Sequence, residues 1–360
     1  MDRFRNGCRA AMDTSRRRHL VDHGRATDVV GRNPSPGNSI SLPAGDAEGE
    51  IRTPERRQLV SGMVRVRVPA KVNLHLRVGA RRPDGFHDLL TVYLAVDLFD
   101  ELVAVTADDF AMSIEGEGAG SLPAGTKNLA WQAASLLATH AGVPPAARLT
   151  IRKGIPVAGG LAGGSADAAA ALVACAELWR TGTSRPDLAT IAAELGSDVP
   201  FALTGGCAVG TGRGERLSPA MTSGEFHFVL AFADHGIATP DAYRALDRMR
   251  GDIAPTLDPN GSRAVLDALR RNDVRKLAAA LVNDLQKPAL SLSPRLRRTL
   301  SAGRELGALA AMVSGSGPTC LFLVDSAAAA ARLASALAAE GVCRSTRVVK
   351  GPVPGARLVR

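Results

Sequence analysis

The sequence has few lysines, few aromatic residues and no long hydrophobic run. Among its 360 residues, 38 arginines stand against 6 lysines, and only 4% of the residues are Phe, Trp or Tyr. Charged side chains interrupt the alanine-rich stretches at 166–179 and 326–339, so neither reaches the roughly 18 apolar residues that a membrane helix needs. We therefore expect no membrane span. The hydrophobic content of 46% predicts a globular protein with a buried core.

The basic charge raises the question of a nucleic-acid partner. The formal net charge is +9, but the arginines are spread along the chain without long runs. A binding stripe for a phosphate backbone would concentrate them. We therefore expect no nucleic-acid partner.

Cysteines are also scarce. The five are Cys8, Cys175, Cys207, Cys320 and Cys343, an odd number at wide spacing with no CxxC pair. This pattern is typical of reduced thiols in a cytoplasmic protein rather than of disulfides or zinc ligands.

Residues 1–62 differ in composition from the rest of the chain. They contain 11 arginines, no lysine and a single aromatic residue, Phe4, and they show no helical or strand periodicity. A targeting peptide is the alternative, but the segment lacks an apolar stretch and carries eight acidic residues. We predict a disordered N-terminal extension, with the folded protein beginning near Met63.

Regular patterns begin at Met63. Alternation over 64–68 and 72–76 predicts a strand pair or one bent strand. Further strands are predicted at 89–96, 101–106, 148–153, 207–211, 226–233, 309–314, 319–324 and 344–350, and helices at 128–141, 164–180, 187–195, 240–250, 262–270, 273–283, 294–306 and 326–340. Since strands cluster before residue 235, we predict an α+β protein with domains at 63–235 and 236–360. The cleft between them is the expected site.

The segment 155–167 is rich in glycine and lies between a predicted strand and a predicted helix. Glycines let the backbone approach an anion closely, and the start of a helix offers unpaired N–H groups and the positive end of its dipole. The segment therefore predicts a phosphate-binding loop. It is not a Walker loop, because no lysine follows the glycines. The alternative is a flexible loop with a helix cap at Ser165.

Four motifs resemble, in order, those of the GHMP small-molecule kinases, and the resemblance covers about residues 64–350. The motifs are PAKVNL at 69–74, the glycine loop at 155–167, LGSDVPF at 195–201 and VSGSGPT at 313–319. The segment RRPDGFH at 81–87 adds a resemblance to the branch of that family whose substrate carries a cytidine diphosphate moiety.

The resemblance implies a catalytic pair, Lys71 and Asp198. Asp198 would accept the proton of the substrate hydroxyl, while Lys71 would keep Asp198 ionised and stabilise the transferring group. The alternatives are a loop aspartate that bonds its own backbone and a strand lysine with a solvated head. Asn73, on the same strand face as Lys71, would position substrate or satisfy neighbouring backbone groups.

The resemblance also assigns the glycine loop to the phosphates of ATP, with Mg²⁺ as the accompanying ion and its ligands unidentified. The implied ATP-binding residues are Pro156, Val157, Ala158, Gly159, Gly160, Leu161, Ala162, Gly163, Gly164, Ser165 and Ala166. Lys153 precedes the loop and is expected to meet a phosphate; the alternative is a surface lysine.

Phe86, His87 and Tyr243 match the cytidine-binding positions of that branch. The resemblance implies that the rings of Phe86 and Tyr243 enclose cytosine and that His87 bonds its polar edge. The family often has Tyr where Phe86 stands, which keeps the stacking and loses a hydroxyl. By themselves, Phe86 would be a core residue and His87 a surface residue. The loop at 314–317 is expected to close over substrate phosphates or to form a hairpin turn.

Together these features predict a two-lobed α+β GHMP kinase fold, with a mixed sheet in the N-terminal lobe and an antiparallel α/β sandwich in the C-terminal lobe. The implied reaction is ATP-dependent phosphorylation of the 2-hydroxyl of a cytidine-diphosphate derivative of methylerythritol, in the non-mevalonate route to isoprenoids. The alternatives are a homoserine or mevalonate type of kinase and a non-catalytic binding protein on the same fold, with RNA as its candidate partner. The oligomeric state stays open.

Overall fold

The computed structural model describes residues 62–251, 253 and 255–359. The predicted N-terminal extension thus lies outside the described residues, apart from its last residue. The strands are β1 (Met63–Arg81), β2 (His87–Thr106), β3 (Phe110–Gly116), β4 (Ala147–Lys153), β5 (Cys207–Thr211), β6 (Arg216–Pro219), β7 (Phe226–Phe232), β8 (Val282–Asn283), β9 (Ala310–Val313), β10 (Cys320–Val324), β11 (Ser345–Gly351) and β12 (Arg357–Leu358). The helices are α1 (Leu129–Ala141), α2 (Gly163–Leu178), α3 (Arg185–Leu195), α4 (Val199–Thr204), α5 (Thr239–Arg250), α6 (Arg263–Arg270), α7 (Val274–Ala280), α8 (Gln286–Leu292), α9 (Leu296–Glu305) and α10 (Ala327–Ala339), with a 3₁₀ turn at Ala119–Ser121.

The long antiparallel pair β1–β2 forms the centre of the first sheet. Its strand order is β12-β1-β2-β4-β3, with β8 added on β1 and the pair β5–β6 added on β2. The β1–β8 and β3–β4 pairs are parallel, which makes the sheet mixed, as predicted. The alternation over 64–76 belongs to one strand, because register shifts between Pro69 and Ala70 and between Asn73 and His75 let it bend without ending.

The second sheet is antiparallel throughout, in the order β11-β7-β10-β9, and this confirms the predicted α+β architecture. The division of the chain between residues 235 and 236 stays a prediction. Strand β7, before that point, belongs to the second sheet, and the two-residue strands β8 and β12, after it, join the first.

Helix α2 is buried along most of its length. The ten consecutive residues from Ala166 to Cys175 are buried, and six of them are alanine. Alanine has the highest helix propensity, and its small side chain lets β1, β2 and α1 approach the helix on several sides. The helix is therefore held firmly against the first sheet and α1. None of the helices in the described ranges is long and apolar enough to cross a membrane.

Candidate active site

Most of the predicted site residues line a cleft of about 770 Å³. The predicted residues that line it are Lys71, Asn73, Phe86, His87, Lys153, Pro156, Val157, Ala158, Gly159, Gly160, Ala162, Gly163, Gly164, Ser165, Asp198 and Tyr243. Two members of the predicted ATP-binding set, Leu161 and Ala166, are instead buried in the hydrophobic core. Leu161 still contributes its carbonyl oxygen, which accepts a hydrogen bond from the Lys71 N–H at 3.2 Å.

Lys71 and Asp198 face each other across this cleft. Lys71 comes from β1, and Asp198 precedes the first residue of α4, where Pro200 fixes the start of the helix. The Lys71 Nζ lies 3.5 Å from Asp198 Oδ2, and the Asp198 side chain is 29% exposed. Asp198 does not cap the helix with its side chain. Its carboxylate is thus free to meet both the lysine and a ligand.

Asn73 orients the lysine. Its Oδ1 accepts a hydrogen bond of 2.8 Å from Lys71 Nζ, and its Nδ2 donates at 2.8 Å to Thr91 Oγ1. The Thr91 hydroxyl in turn donates to the carbonyl oxygen of His75. Both ends of this buried amide are therefore engaged within the protein, an arrangement that favours positioning of Lys71 over direct contact of Asn73 with substrate.

Tyr93 forms the floor beneath the pair. It is 2% exposed, and Lys71 Nζ lies 5.3 Å from the centre of its ring. Burial and the neighbouring Asp198 carboxylate raise the pKa of Tyr93 well above its usual value. The phenol is therefore neutral at physiological pH and keeps a hydrogen to donate beside Asp198.

The glycine loop is shaped by left-handed backbone at three positions, Ala158, Gly160 and Ala162, with φ between 54° and 75°. It ends at Gly163, where α2 begins without a side-chain cap on its first turn. Gly163 and Gly164 line the cleft and have no side chains, so the N–H groups of the first turn are accessible from the cleft. Ser165 lies inside this first turn and does not cap the helix.

The sequence predicts that Lys153 meets a phosphate, but in the structure its side chain is paired with two carboxylates. Its Nζ donates to Asp100 Oδ2 at 2.5 Å and to Asp167 Oδ2 at 2.7 Å, and the side chain is only 2% exposed. Asp100 also accepts hydrogen bonds from the backbone N–H groups of Gly154 and Ile155, at 2.7 and 2.8 Å. Lys153 thus lies beneath the glycine loop and contacts Asp100, which holds the first residues of that loop.

The loop at 314–317 packs on the glycine loop. A Cβ at Gly160 would lie 2.5 Å from the Ser314 carbonyl oxygen, and one at Gly315 would lie 3.1 Å from Asn73 Oδ1. The Asn283 amide donates at 2.8 Å to the carbonyl oxygens of Val313 and Gly315. This second loop therefore lies against both the glycine loop and the residue that orients Lys71.

Because of this contact, we expect Gly160→Ala to destabilise the protein more than Gly182→Ala. Both glycines have left-handed backbone, at φ +75° and +69°, but a Cβ at Gly182 would meet nothing within 4 Å. The Gly182 variant should lose about 1–2 kcal/mol of unfolding free energy from backbone strain alone. The Gly160 variant should lose a further 1–3 kcal/mol or so, because the 314–317 loop must move.

Urea unfolding of the two variants checks this difference. We also expect a higher KM for ATP, the ligand that the family resemblance implies for the glycine loop, in the Gly160 variant only. Equal losses of stability with unchanged ATP kinetics would mean that the two loops do not depend on each other.

The predicted cytosine-binding residues form a second group in the cleft. The His87 ring stacks on Tyr243, with centroids 5.2 Å apart and planes at 26°. His87 Nε2 lies 2.8 Å from Asp247 Oδ1. Phe86 is 50% exposed, and the Arg213 guanidinium lies 5.0 Å from its ring centre. The structure thus brings together all three predicted residues and adds two, Asp247 and Arg213.

Comparisons with known proteins agree with this geometry. Residues 128–206 match the model of the GHMP kinases N terminal domain, and residues 265–343 match that of the GHMP kinases C terminal. The chain belongs to the GHMP kinases, a family of ATP-dependent small-molecule kinases.

Among its relatives, the 4-diphosphocytidyl-2-C-methyl-D-erythritol kinase of Salinispora arenicola is 59% identical over 83% of this chain and 95% of its own length. The protein of the same name from Mycolicibacterium gilvum is 55% identical over 83% of this chain and 94% of its own length. A crystal structure of 4-(cytidine 5'-diphospho)-2C-methyl-D-erythritol kinase superposes with a TM-score of 0.64. It is 35% identical and covers 79% of this chain and 98% of the other.

Proposed function

We propose that this kinase transfers the γ-phosphate of ATP to the 2-hydroxyl of 4-diphosphocytidyl-2-C-methyl-D-erythritol, in the non-mevalonate route to isoprenoid precursors. The observation that carries the proposal is that one cleft holds both the Lys71–Asp198 pair and the group formed by His87, Tyr243 and Phe86. The first suits phosphoryl transfer to an alcohol, and the second suits a pyrimidine base. We place the reaction in the cytoplasm, in keeping with the unpaired cysteines in the described part of the chain.

In this proposal Asp198 accepts the proton of the substrate hydroxyl. The hydroxyl oxygen then bonds to the γ-phosphorus while the bond from that phosphorus to the β-phosphate oxygen breaks, and ADP leaves. Lys71, oriented by Asn73, neutralises the charge that gathers on the transferring group. Lys71 Nζ also lies 3.5 Å from Asp198 Oδ2, where it can orient the carboxylate that takes the proton.

The phosphates of ATP would bind along the glycine loop and the first turn of α2. Left-handed backbone at Ala158, Gly160 and Ala162 leads into a helix start with no side-chain cap, so the N–H groups there are available to an anion. Leu161 and Ala166 would support this loop from the core. Lys153 would act on it through Asp100.

The site also fits a Mg²⁺ ion that arrives with the nucleotide. Among the described residues, no group of three or more His, Cys, Asp or Glu side chains is placed to hold a metal ion. Mg²⁺ commonly takes most of its oxygen ligands from substrate phosphates and water. When bound, the ion would neutralise charge on the phosphates.

Cytosine recognition would depend on the ring nitrogens of His87. If Nε2–H donates to Asp247, the neutral ring leaves Nδ1 as an acceptor. The 4-amino group of cytosine can donate to that acceptor, whereas uracil has a carbonyl oxygen at the same place. The exposed ring of Phe86 offers a stacking surface nearby.

The alternative functions explain fewer of the side chains that line this cleft. A homoserine or mevalonate type of kinase has no base to place against Phe86 and the His87–Tyr243 stack. An RNA-binding protein would not need a lysine and an aspartate held 3.5 Å apart at the mouth of a phosphate-binding loop.

A coupled assay of ADP release tests the proposal. We expect turnover with the cytidyl substrate at least 100-fold above that with homoserine or mevalonate, at equal concentrations of each, since a site built for hydrogen-bonded groups rejects analogues that lack them by about 10⁴ or more. Preference for homoserine or mevalonate would refute it. Titration of RNA binding against salt is the matching test for the non-catalytic alternative.

A further inference from the structure

Three charged side chains form a buried group beneath the glycine loop, which we call the loop cluster: Asp100 on β2, Lys153 on β4 and Asp167 on α2. Their side chains are 0%, 2% and 4% exposed. Two carboxylates surround a single ammonium group, so the cluster would carry a net negative charge if both acids were ionised. An uncompensated charge in the protein interior is costly, and here it would also lie next to the place proposed for the phosphates of ATP.

The two acids of the loop cluster have different hydrogen-bond partners. Asp100 accepts three hydrogen bonds, from the N–H groups of Gly154 and Ile155 on Oδ1 and from Lys153 on Oδ2. Asp167 accepts one, from Lys153 on Oδ2. Its Oδ1 is buried and has no hydrogen-bond partner among the described residues. The surroundings thus satisfy an ionised carboxylate at Asp100 and leave one unsatisfied at Asp167.

The loop cluster also touches both ends of the loop. Asp100 holds the N–H groups of Gly154 and Ile155, at the start of the loop. At its end, a Cβ on Gly163, the first residue of α2, would lie 3.3 Å from Lys153 Nζ. A change in the charge or position of the cluster therefore acts directly on the backbone that would bind phosphate.

We propose that Asp100 and Lys153 are positioning residues that hold the glycine loop in the shape that binds ATP, and that Asp167 completes the loop cluster as a neutral, protonated acid. This inference rests on the proposed function only for the identity of the nucleotide. The hydrogen bonds of the cluster go to one another and to the backbone of the loop, so its members act through the loop.

The electrostatics agree with the geometry. Burial raises the pKa of Asp167 to about 8, with the Lys153 charge opposing the rise and the Asp100 charge adding to it. Burial lowers the pKa of Lys153, but the charges of Asp167 and Asp100 outweigh it and the pKa is raised overall. In the described part of the chain, the charged groups that act on Asp167 are those of β2 and β4. Of the neighbouring elements, β1 carries Lys71 and α4 is preceded by Asp198, and both residues line the same cleft as Asp167.

The first test compares Asp167→Asn with Asp100→Asn. Asparagine resembles a neutral carboxylic acid, so the Asp167 variant should bind ATP with a Kd within about threefold of the parent at pH 7. Asparagine at position 100 would offer one acceptor oxygen, whereas the Lys153 ammonium and the two backbone N–H groups use both oxygens of Asp100. ATP binding should therefore weaken by about tenfold or more. Glu177→Gln, which removes an acid from the far end of α2, is the control. Calorimetric titration with ATP measures all three.

Tenfold weakening by Asp167→Asn would overturn the neutral-acid assignment. Unchanged ATP binding in Asp100→Asn would overturn the positioning role. Since Asp100→Asn removes bonds from a buried acid, it could fail to fold, and a second measurement therefore covers the wild type and Asp167→Asn alone.

That measurement is the pH dependence of Tm and of ATP affinity. A carboxyl whose pKa is raised in the folded state stabilises the fold at low pH, and this stabilisation is lost as the pH rises through the folded pKa. From about pH 4 to pH 8, the Tm of the wild type should therefore fall relative to that of Asp167→Asn. From pH 7 to pH 9, ATP binding should weaken by about threefold to tenfold in the wild type relative to the variant, because a negative charge develops near the phosphates.

Parallel pH profiles of the two proteins would contradict the proposal. None of these measurements uses the cytidyl substrate. Failure of the proposed function in the ADP-release assay and failure of the loop-cluster proposal are therefore separate outcomes.

Discussion

Asp198→Asn should lower kcat by about 10²–10⁴-fold while leaving the KM values for ATP and for the cytidyl substrate nearly unchanged. The substitution keeps the volume of the side chain and removes its ability to take a proton. Asp198 does not cap α4, so the helix loses no hydrogen bond. Steady-state kinetics with both substrates varied, together with Tm, measure the effect.

The matched control is Asp273→Asn. Asp273 also precedes a short helix, α7, and has a lysine partner, with its Oδ2 3.2 Å from Lys276 Nζ. It lies outside the cleft lining and caps its helix by accepting from the Lys276 N–H, which asparagine can still do. This variant should keep the kcat of the parent. Retention of more than about a tenth of kcat by Asp198→Asn, with chemistry rate-limiting, would leave Asp198 as an ordinary loop residue.

Lys71→Ala should lower kcat comparably, because Lys71 and Asp198 act on the same transition state. For the same reason the double variant should cost little more than the worse single variant. Independent contributions would instead multiply. Additive losses in free energy would show that Lys71 acts apart from Asp198, for example on the nucleotide alone.

His87→Ala should raise the KM for the cytidyl substrate by about 5-fold to 150-fold, the equivalent of roughly 1–3 kcal/mol for a lost buried hydrogen bond. The KM for ATP should change less than twofold or so, because the partners of His87 are Tyr243 and Asp247, neither of which belongs to the glycine loop. A second readout is specificity. The parent should prefer the cytidine substrate over its uridine analogue, and the variant should lose most of that preference.

His140→Ala is the control for this prediction. His140 lies on the surface at the end of α1, 3.8 Å from Glu194, and has no place in the cleft. Its removal should leave both KM values alone. If His87→Ala weakened ATP and the cytidyl substrate equally, or lowered Tm by several degrees with no change in base preference, His87 would be a structural residue.

The sequence alone could predict the parts of the site that local patterns carry. The composition of the glycine loop and the helix that follows it are visible in the sequence. The alternation around Lys71 places this lysine on a strand beside Asn73. That Asp198 would face Lys71 came from the family resemblance, because nothing local links a loop aspartate to a distant strand.

Long-range partners were beyond the sequence analysis. Thr91 and Tyr93 lie in an apolar strand and look like core positions, and they gain a role only because β2 pairs with β1. Asp247 meets His87 across 160 residues of sequence. The sequence predicts a phosphate contact or a surface position for Lys153, because local patterns do not reveal its partners Asp100 and Asp167 on another strand and on a helix. The segment at 199–204 was too short to show a helical period, and α4 was missed.

We propose that this cleft moves a phosphoryl group from ATP to a hydroxyl of a cytidine diphosphate alcohol. Phosphorus NMR of the reaction products tests it most directly. With ATP and 4-diphosphocytidyl-2-C-methyl-D-erythritol, we expect a new resonance from a phosphomonoester at the 2-oxygen and ADP in equal amount, with the cytidyl diphosphate resonances still present. Formation of ADP and inorganic phosphate without the monoester, or no consumption of ATP at all, would contradict it.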